Sequence, residues 1–220
     1  MPTTAERPLR KDAERNRRRI LDAAREVFAE HGLDAGLDHI ARHAGLGVGT
    51  VYRRFPDKDK LIDALFEERI GSIAALAEEA AAHEDPWAGL VFFFDRSLTE
   101  QAADRGLKQI LLSGARGCAQ VSAGRERIAP PLRSLVERAH VAGVLRQDVT
   151  AQDIPMISLM LGSLMDASRD TAPELWRRYL ELLLDGLRAG GPGSREPLTV
   201  APLDPVAVQT VLAAWKPCRA

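Results

Sequence analysis

The stretch from Leu37 to Lys60 contains the residues whose types and spacing best fit a chemical task. It runs LDHIARHAGLGVGTVYRRFPDKDK, so that one short apolar-patterned segment, a glycine corner and a second short segment follow one another. Gly45 permits the positive φ that a sharp turn between two helices requires. The pattern predicts a helix-turn-helix, whose second helix can lie in a DNA major groove.

Several side chains of this stretch are predicted to contact DNA. Gly47 and Gly49 leave the start of the second helix slim, so that backbone amides can approach phosphate. Arg53 can form two hydrogen bonds to guanine, which are worth about 1–3 kcal/mol of discrimination. Neighbouring hydroxyl and ammonium groups suit phosphate contacts, which fix the register. The predicted set is His39, Gly47, Val48, Gly49, Thr50, Tyr52, Arg53, Arg54 and Lys58.

Three helices are predicted to position these residues. The first runs from about Ala13 to His31, where apolar residues recur at helical spacing, and Gly32 ends it. The second covers about Leu37–Ala44 and the third about Val48–Phe55. Pro56 ends the third helix because it lacks a backbone donor and restricts the residue before it.

The rest of the chain shows helical patterns and no strand pattern, which predicts an all-α fold. Ala, Leu and Arg are abundant, and all three favour helices. Thr150 with Asp153 and Thr171 with Glu174 form two predicted capping boxes. Further helices are expected at about 57–83, from Pro86, between Gly106 and Gly117, and at 131–142, 151–168, 172–189 and 205–215, with loops at 118–126 and 192–203.

Charge is distributed unevenly along the chain. The net charge is −1, but residues 1–60 carry 13 Lys/Arg against 10 Asp/Glu, and residues 61–220 carry the remaining 17 against 21. The first part is therefore net +3 and the second net −4. The positive part is the one expected to meet phosphate.

Other function classes lack support in the sequence. Cys118 and Cys218 are far apart, which indicates neither a disulfide framework nor a metal site and suits a reducing cytosol. No apolar signal segment begins the chain, and the longest apolar run, Ile154 to Met165, is too short to span a bilayer. No catalytic triad order, phosphate loop or metal cluster stands out. We therefore expect a cytoplasmic protein that is no enzyme and uses no cofactor, metal or membrane.

The run from Ile20 through Phe66 resembles the N-terminal domain of the TetR family of transcriptional regulators. The resemblance implies about nine helices, a homodimer formed by the last two, a DNA operator as partner, and a small-molecule cavity in the C-terminal domain. Two departures stand out: Gly36 precedes the second helix where the family usually has Thr or Ser, and Gly47 replaces a common Ser. The matching residues are Ile20, Ala23, Ala24, Phe28, Gly32, Ile40, Ala41, Ala44, Gly45, Gly49, Thr50, Tyr52, Phe55, Lys58 and Leu61.

The segment 154–165 is apolar nearly all round, which is unusual for a helix on a monomer surface. With the helix at 172–189 it is predicted to form a four-helix interface between two copies. Burial inside one chain is the alternative, and composition and resemblance together favour the interface. Its predicted residues are Ile157, Leu161, Leu164, Met165, Tyr179, Leu182 and Leu183.

Aromatic and sulfur-containing side chains of the C-terminal part are candidates for an effector site. Packing in the core is the simpler interpretation for each of them. In a TetR-like fold, however, the helix after Pro86 lines the cavity, so one of its rings can face a ligand. The candidate residues are Trp87, Phe93, Phe94, His140, Met156 and Met160, with Trp176 as a further one.

The predicted domains are a flexible basic arm over 1–12, a DNA-binding domain over 13–70, a regulatory and dimerisation domain over 71–190, and a loop with a short helix over 191–220. Arg15, Arg17, Arg18 and Arg19 contact phosphate or form a solvated helix face. The leading hypothesis is a repressor that a small molecule releases from a palindromic operator. The alternative is a regulator whose C-terminal domain only dimerises or docks a protein.

Overall fold

A computed structural model describes the backbone of residues 6–103, 116–190 and 196–214 and the side chains of 12–103, 126–190 and 196–212. Within these ranges the secondary structure is helical, apart from one isolated antiparallel bridge. The predicted all-α class is confirmed. The helices are α1 Glu6–His31, α2 Leu37–His43, α3 Val48–Arg54, α4 Lys58–Ala82, α5 Pro86–Ala103, α6 Arg116–Val141, α7 Asp153–Ala167, α8 Leu175–Leu187 and α9 Pro205–Ala214.

The described residues up to Arg69 form one compact unit, and those from Ile70 onward form a second. The first unit has its own apolar core, in which α1, α2, α3 and the start of α4 meet. Phe28, Ile40, Val51 and Leu61 are fully buried there. Helical spacing of the apolar residues on α1 gives that helix a single inward face. This unit holds every residue that was predicted to contact DNA.

The core of the second unit combines side chains from α4 to α8, among them the fully buried Leu98, Leu135 and Trp176. The predicted start of α5 at Pro86 is confirmed, and Asp85 caps it, because the Trp87 amide donates to Asp85 Oδ1 at 2.9 Å. Arg138 on α6 donates to the carbonyl oxygens after α4, at 2.6 Å to His83 and 2.9 Å to Glu84. With a further bond to the Ala81 carbonyl, they supply donors to carbonyl oxygens at the end of α4 that lack a partner within the helix.

One glycine of this unit lies where the backbone of a neighbouring helix leaves no room for a side chain. A Cβ at Gly89 on α5 would stand 2.4 Å from the carbonyl oxygen of Ala80 on α4 and 3.0 Å from Leu135 Cδ1 on α6. Real Cβ atoms do not come so near to backbone oxygen. The packing of these helices therefore depends on the missing side chain.

The segment after residue 195 is held to the second unit by hydrogen bonds to the ion pair of Arg146 and Asp148. Arg146 donates two hydrogen bonds to the carboxylate of Asp148, at 2.9 and 2.8 Å. The same carboxylate accepts the Leu198 amide at 2.7 Å, and Arg146 donates to the Glu196 carbonyl at 3.1 Å. The Arg146 guanidinium and the Leu198 amide hold the pKa of Asp148 well below its usual range.

Two helix boundaries differ from the prediction at the beginning and in the middle of the chain. The helix expected from Ala13 begins at Glu6, so residues 6–12 of the predicted arm are helical; Pro8 is tolerated in a first turn. The loop expected at 118–126 is wrong, because α6 already begins at Arg116. The helix then continues through Pro130 and Pro131. The residues after the prolines anchor the helix in the core, since Leu132, Leu135 and Val136 are buried.

The capping box of Thr171 and Glu174 does not form. Thr171 donates its amide to the Ser168 carbonyl, and Glu174 accepts from Arg177, so α8 begins only at Leu175. Asp153, by contrast, accepts the Thr150 amide and hydroxyl at 2.7 and 3.0 Å. The short helix expected between Gly106 and Gly117 falls largely outside the described residues, as do the side chains of Cys118 and Cys218.

Across the described ranges, no helix is both long and apolar enough for a membrane span. Nor do the histidine, cysteine and carboxylate side chains of those ranges form a cluster suited to a metal ion.

Candidate nucleic-acid interface

The corner between α2 and α3 is built around Gly45, whose φ is 62°. The Gly45 amide donates to the Arg42 carbonyl at 3.1 Å, and the Leu46 amide donates to the Ala41 carbonyl at 3.0 Å. These two bonds form a Schellman motif, which closes a helix through a left-handed glycine. The predicted positive φ at this glycine is confirmed.

Helix α3 has a buried side and an exposed side. Val51 and Phe55 enter the core of the first unit and hold the helix in place. On the other side Val48 is 40% exposed and Tyr52 44% exposed, while Thr50 is half-buried. The structure thus presents the predicted outward residues to solvent, with Thr50 less accessible than expected.

Arg53 and Arg54 are exposed in the last turn of α3. Within the described part of the chain, neither guanidinium has a hydrogen-bond or ion-pair partner. An arginine carries five N–H donors in a planar fork that matches phosphate and guanine edges. The exposed end of α3 therefore offers two unengaged cations to an anionic partner.

The glycines at the start of α3 are not required by the fold. A Cβ at Gly49 would meet nothing within 4 Å, and one at Gly47 would meet only Thr50 Oγ1 at 3.9 Å. Gly47 has an ordinary φ of −63° and caps α3 without a side-chain hydrogen bond. Because neither space nor backbone strain calls for glycine, the fold tolerates a side chain at both positions, and the glycines leave the start of α3 slim and exposed.

We expect Gly49→Ala to weaken DNA binding without lowering the stability of the fold. Alanine favours a helix over glycine by up to about 1 kcal/mol, so the melting temperature should stay equal or rise. The added methyl group on the exposed face should weaken operator binding. Gly71→Ala on α4 is the control, because a Cβ there makes only an ordinary contact, 3.7 Å from Arg127 Nη2. Undiminished operator affinity in Gly49→Ala would contradict a close approach of DNA to this part of α3.

Asp38 is a site residue that the sequence pattern missed. Its negative charge, with slight desolvation, raises the pKa of the exposed Tyr52 hydroxyl. The Asp38 carboxylate thus acts on a residue at the surface of α3. The two residues belong to different helices, so that no sequence spacing links them.

Two predicted contact residues are engaged within the unit. Lys58, which is half-buried, donates its ammonium to the Leu33 carbonyl and so ties the start of α4 to the loop after α1. His39 is half-buried, and its ring lies 4.6 Å from the ring of His31, centroid to centroid. Both residues contribute more to the framework of the site than to its free surface.

The arginines of α1 divide into different roles. Arg15 pairs with Asp12 at 2.5 Å on the exposed surface. Arg19 donates to the Ala44 carbonyl at 2.7 Å, at the corner described above. Arg17 and Arg18 have no hydrogen-bond or ion-pair partner within the ranges that the structure describes. Of the two interpretations, a solvated face fits Arg15, whereas Arg19 is exposed but has its Nη2 atom bound at the corner.

The predicted effector residues lie in different environments of the second unit. Met156 is half-buried, and Met160 is 53% exposed. His140 places Nε2 2.9 Å from the Arg146 carbonyl oxygen. The Arg188 guanidinium lies 4.3 Å from the centroid of the Trp87 ring. The three aromatic residues of the predicted effector set are buried in the core: Trp87, Phe93 and Phe94.

The predicted interface residues fall into three groups. Ile157, Leu161 and Met165 are buried in the chain's own core, so they have little surface left for a partner. Tyr179 is 45% exposed and Leu182 56% exposed. Those packed at the edge of the core are Leu164 and Leu183.

Comparisons with known proteins agree with this geometry. Residues 20–65 match the family model "Bacterial regulatory proteins, tetR family", and residues 85–189 match "Transcriptional regulator SbtR-like, C-terminal domain". A TetR transcription regulatory protein of Mycobacterium vanbaalenii is 34% identical, with a TM-score of 0.63; the match covers 82% of this chain and 99% of that one.

A TetR regulator of Streptomyces coelicolor is 32% identical, with a TM-score of 0.59; that match covers 80% of this chain and 99% of the relative. An HTH-type regulator of Staphylococcus aureus (strain USA300) is 44% identical over 54 residues, which are 24% of this chain and 29% of the relative. This last match therefore concerns the DNA-binding part alone, while the two solved structures match along nearly all of their own length.

Proposed function

The chain belongs to the TetR family of bacterial transcriptional regulators, and from that premise we propose that it is a homodimeric repressor released from a palindromic operator by a small molecule. Members of this family are DNA-binding regulators and not enzymes. The observation that carries the proposal is α3 itself: its inner side is anchored by Val51, and its exposed side presents Arg53 and Arg54 without partners in the described part of the chain.

Two copies of α3 would enter successive major grooves about 34–36 Å apart, which matches one turn of DNA. Arg53 is proposed to contact base edges, and Arg54 to contact phosphate or bases beside it. Gly47 and Gly49 let the start of the helix lie close to the backbone. Since the chromosome is the partner, we place the protein in the cytoplasm.

Footprinting tests the proposal directly. On the promoter of the protein's own gene and of its neighbours, we expect a protected near-palindrome with half-sites one helical turn apart. Absence of any protected palindrome at these promoters would count against a repressor of this type.

The exposed apolar side of α8 supports a dimer. Leu182 and Tyr179 lie one turn apart on this helix and are each about half exposed, and Met160 adds an exposed side chain on α7. Isolated exposed apolar residues are ordinary, but several on the adjoining α7 and α8 suit a two-fold interface. We propose that these residues, with Leu164 and Leu183 at the edge, face the second copy.

We expect Leu182→Asp to convert the dimer to a monomer, because two carboxylates would be buried close to the symmetry axis without partners. Molecular mass from light scattering should fall by half, and operator affinity should fall with it. Val141→Asp is the matched control, since Val141 is exposed and lies on α6. A Leu182→Asp protein that keeps the dimer mass would contradict this interface.

The second unit is proposed to bind the effector. Trp176 is 1% exposed, and its indole Nε1 has no hydrogen-bond partner within the described residues. Buried indole N–H groups normally find an acceptor, so an effector oxygen could supply it. The effector would favour a conformer with the wrong spacing for the operator, with a coupling of about 1–3 kcal/mol.

A domain that only dimerises or docks a protein remains the second candidate, favoured by the dense packing of Trp87, Phe93 and Phe94 in the core. Thermal melts with candidate small molecules separate the two, because a ligand of the folded state raises the melting temperature. A shift accompanied by release from the operator supports the effector proposal. Release that requires a protein partner supports the alternative.

A further inference from the structure

The guanidinium of Arg19 is attached to the corner of the helix-turn-helix. Its Nη2 atom donates to the carbonyl oxygen of Ala44 at 2.7 Å and lies 3.5 Å from that of Gly45. Ala44 is the C-terminal cap of α2, and Gly45 is the corner glycine. An arginine of α1 thus reaches the backbone that leads into α3.

Backbone bonding leaves these two carbonyl groups available. The Schellman motif uses the carbonyls of Ala41 and Arg42, which accept from the Leu46 and Gly45 amides. The next carbonyls in the chain belong to the corner residues, and a cation is the favoured partner at the negative end of a helix. Arg19 supplies both the charge and the donors.

A second contact joins α1 to the same end of α2. His43 Nε2 lies 2.6 Å from Glu26 Oε2, and His43 is the last residue of α2. We call these two contacts, Arg19 with the corner carbonyls and Glu26 with His43, the α1 clasp. Together they fix the end of α2 from two positions along α1.

The corner determines where α3 begins. Gly45 is followed by Leu46 and Gly47, after which α3 starts at Val48 and packs on α2. We infer that Arg19 is a positioning residue for DNA recognition, which acts through the corner backbone and does not bind phosphate. This inference rests on the proposed function of α3 and adds a residue outside the predicted contact set.

The neighbouring arginine provides a matched control. Arg18 has the same charge, is exposed, and has no partner among the described residues. Arg18→Met therefore removes one positive charge from α1 without disturbing the clasp. Arg19→Met removes the same charge together with the hydrogen bonds to the corner.

The experiment measures affinity for the operator and for random DNA at several salt concentrations. We expect Arg19→Met to weaken operator binding about tenfold, because hydrogen bonds from a charged donor to the backbone are lost. Affinity for random DNA and the salt slope should equal those of Arg18→Met. In the free protein, amide hydrogen exchange at residues 45–51 should be faster in Arg19→Met alone.

Three results would overturn the inference. The first is a salt slope that falls by about 0.9 in Arg19→Met and not in Arg18→Met, with an equal loss on random DNA, as a phosphate ligand requires. The second is operator affinity equal to that of the original protein. The third is unchanged exchange at the corner.

Arg19→Lys covers the case in which Arg19→Met does not fold. Lysine keeps the charge and a phosphate contact but lacks the planar fork, so partial loss of operator affinity with faster corner exchange supports positioning. The inference is overturned if Arg19→Lys has the operator affinity and the corner hydrogen exchange of the original protein. If the original protein protects no operator, the proposed function fails, whereas hydrogen exchange still decides whether Arg19 holds the corner.

Discussion

Arg53→Ala should weaken operator binding by about tenfold to a hundredfold while binding to random DNA changes little. The Arg53 guanidinium is exposed at the end of α3 and has no partner in the described part of the chain, so nothing within that part competes with DNA for it. A bidentate contact to a guanine edge is worth about 1–3 kcal/mol for the correct base and nothing for sequence-independent binding.

Competition gel shifts with operator and random duplexes at one salt concentration measure both affinities. Arg133→Ala on α6 is the control for loss of a single exposed arginine charge. Equal losses on operator and random DNA would assign Arg53 to phosphate. The ratio of the two affinities, more than either value, decides its role.

Gly89→Ala should destabilise the second unit by about 1–3 kcal/mol, the usual cost of adding a methyl group where there is no room. The added Cβ would stand 2.4 Å from the Ala80 carbonyl oxygen, so backbone and not merely a side chain must move. For a chain of this size the melting temperature falls by roughly 2–4 °C per kcal/mol.

Calorimetry compares this variant with Gly71→Ala on α4, in which the added Cβ makes only an ordinary contact, 3.7 Å from Arg127 Nη2. Gly71→Ala should be neutral or slightly stabilising, because alanine loses less backbone entropy on folding. A Gly89→Ala protein that melts with or above the original would show that α4 and α5 can separate at little cost.

Features fixed by local sequence were predictable. The corner at Gly45, the end of α3 before Pro56 and the start of α5 at Pro86 each depend on the backbone preferences of one or two residues. Such preferences act whatever the remainder of the chain does. The helix-turn-helix and the exposed position of Arg53 follow from them.

Features that depend on distant partners were not predictable. Arg19 and Ala44 meet through packing of α1 on α2, as do Asp38 and Tyr52 across α2 and α3, and no spacing reveals either pair. The course of α6 through its prolines is another example, since tertiary burial there outweighs the local preference.

The spacing of apolar residues also does not show whether a helix face packs in its own chain or against a second copy. The spacing of Ile157, Leu161 and Met165 correctly identifies one side of α7, but that side is buried in the chain's own core. A helix that is apolar all round has no polar side to orient it. Only the packed structure separates these residues from Tyr179 and Leu182, which keep free surface.

The two apolar cores have no residue in common, and this has a consequence for how such proteins diversify. A substitution that repacks one core leaves every buried side chain of the other untouched. Lineages can therefore exchange the buried residues of one unit while inheriting those of the other. Such exchange needs no simultaneous compensating changes among the buried residues of both units.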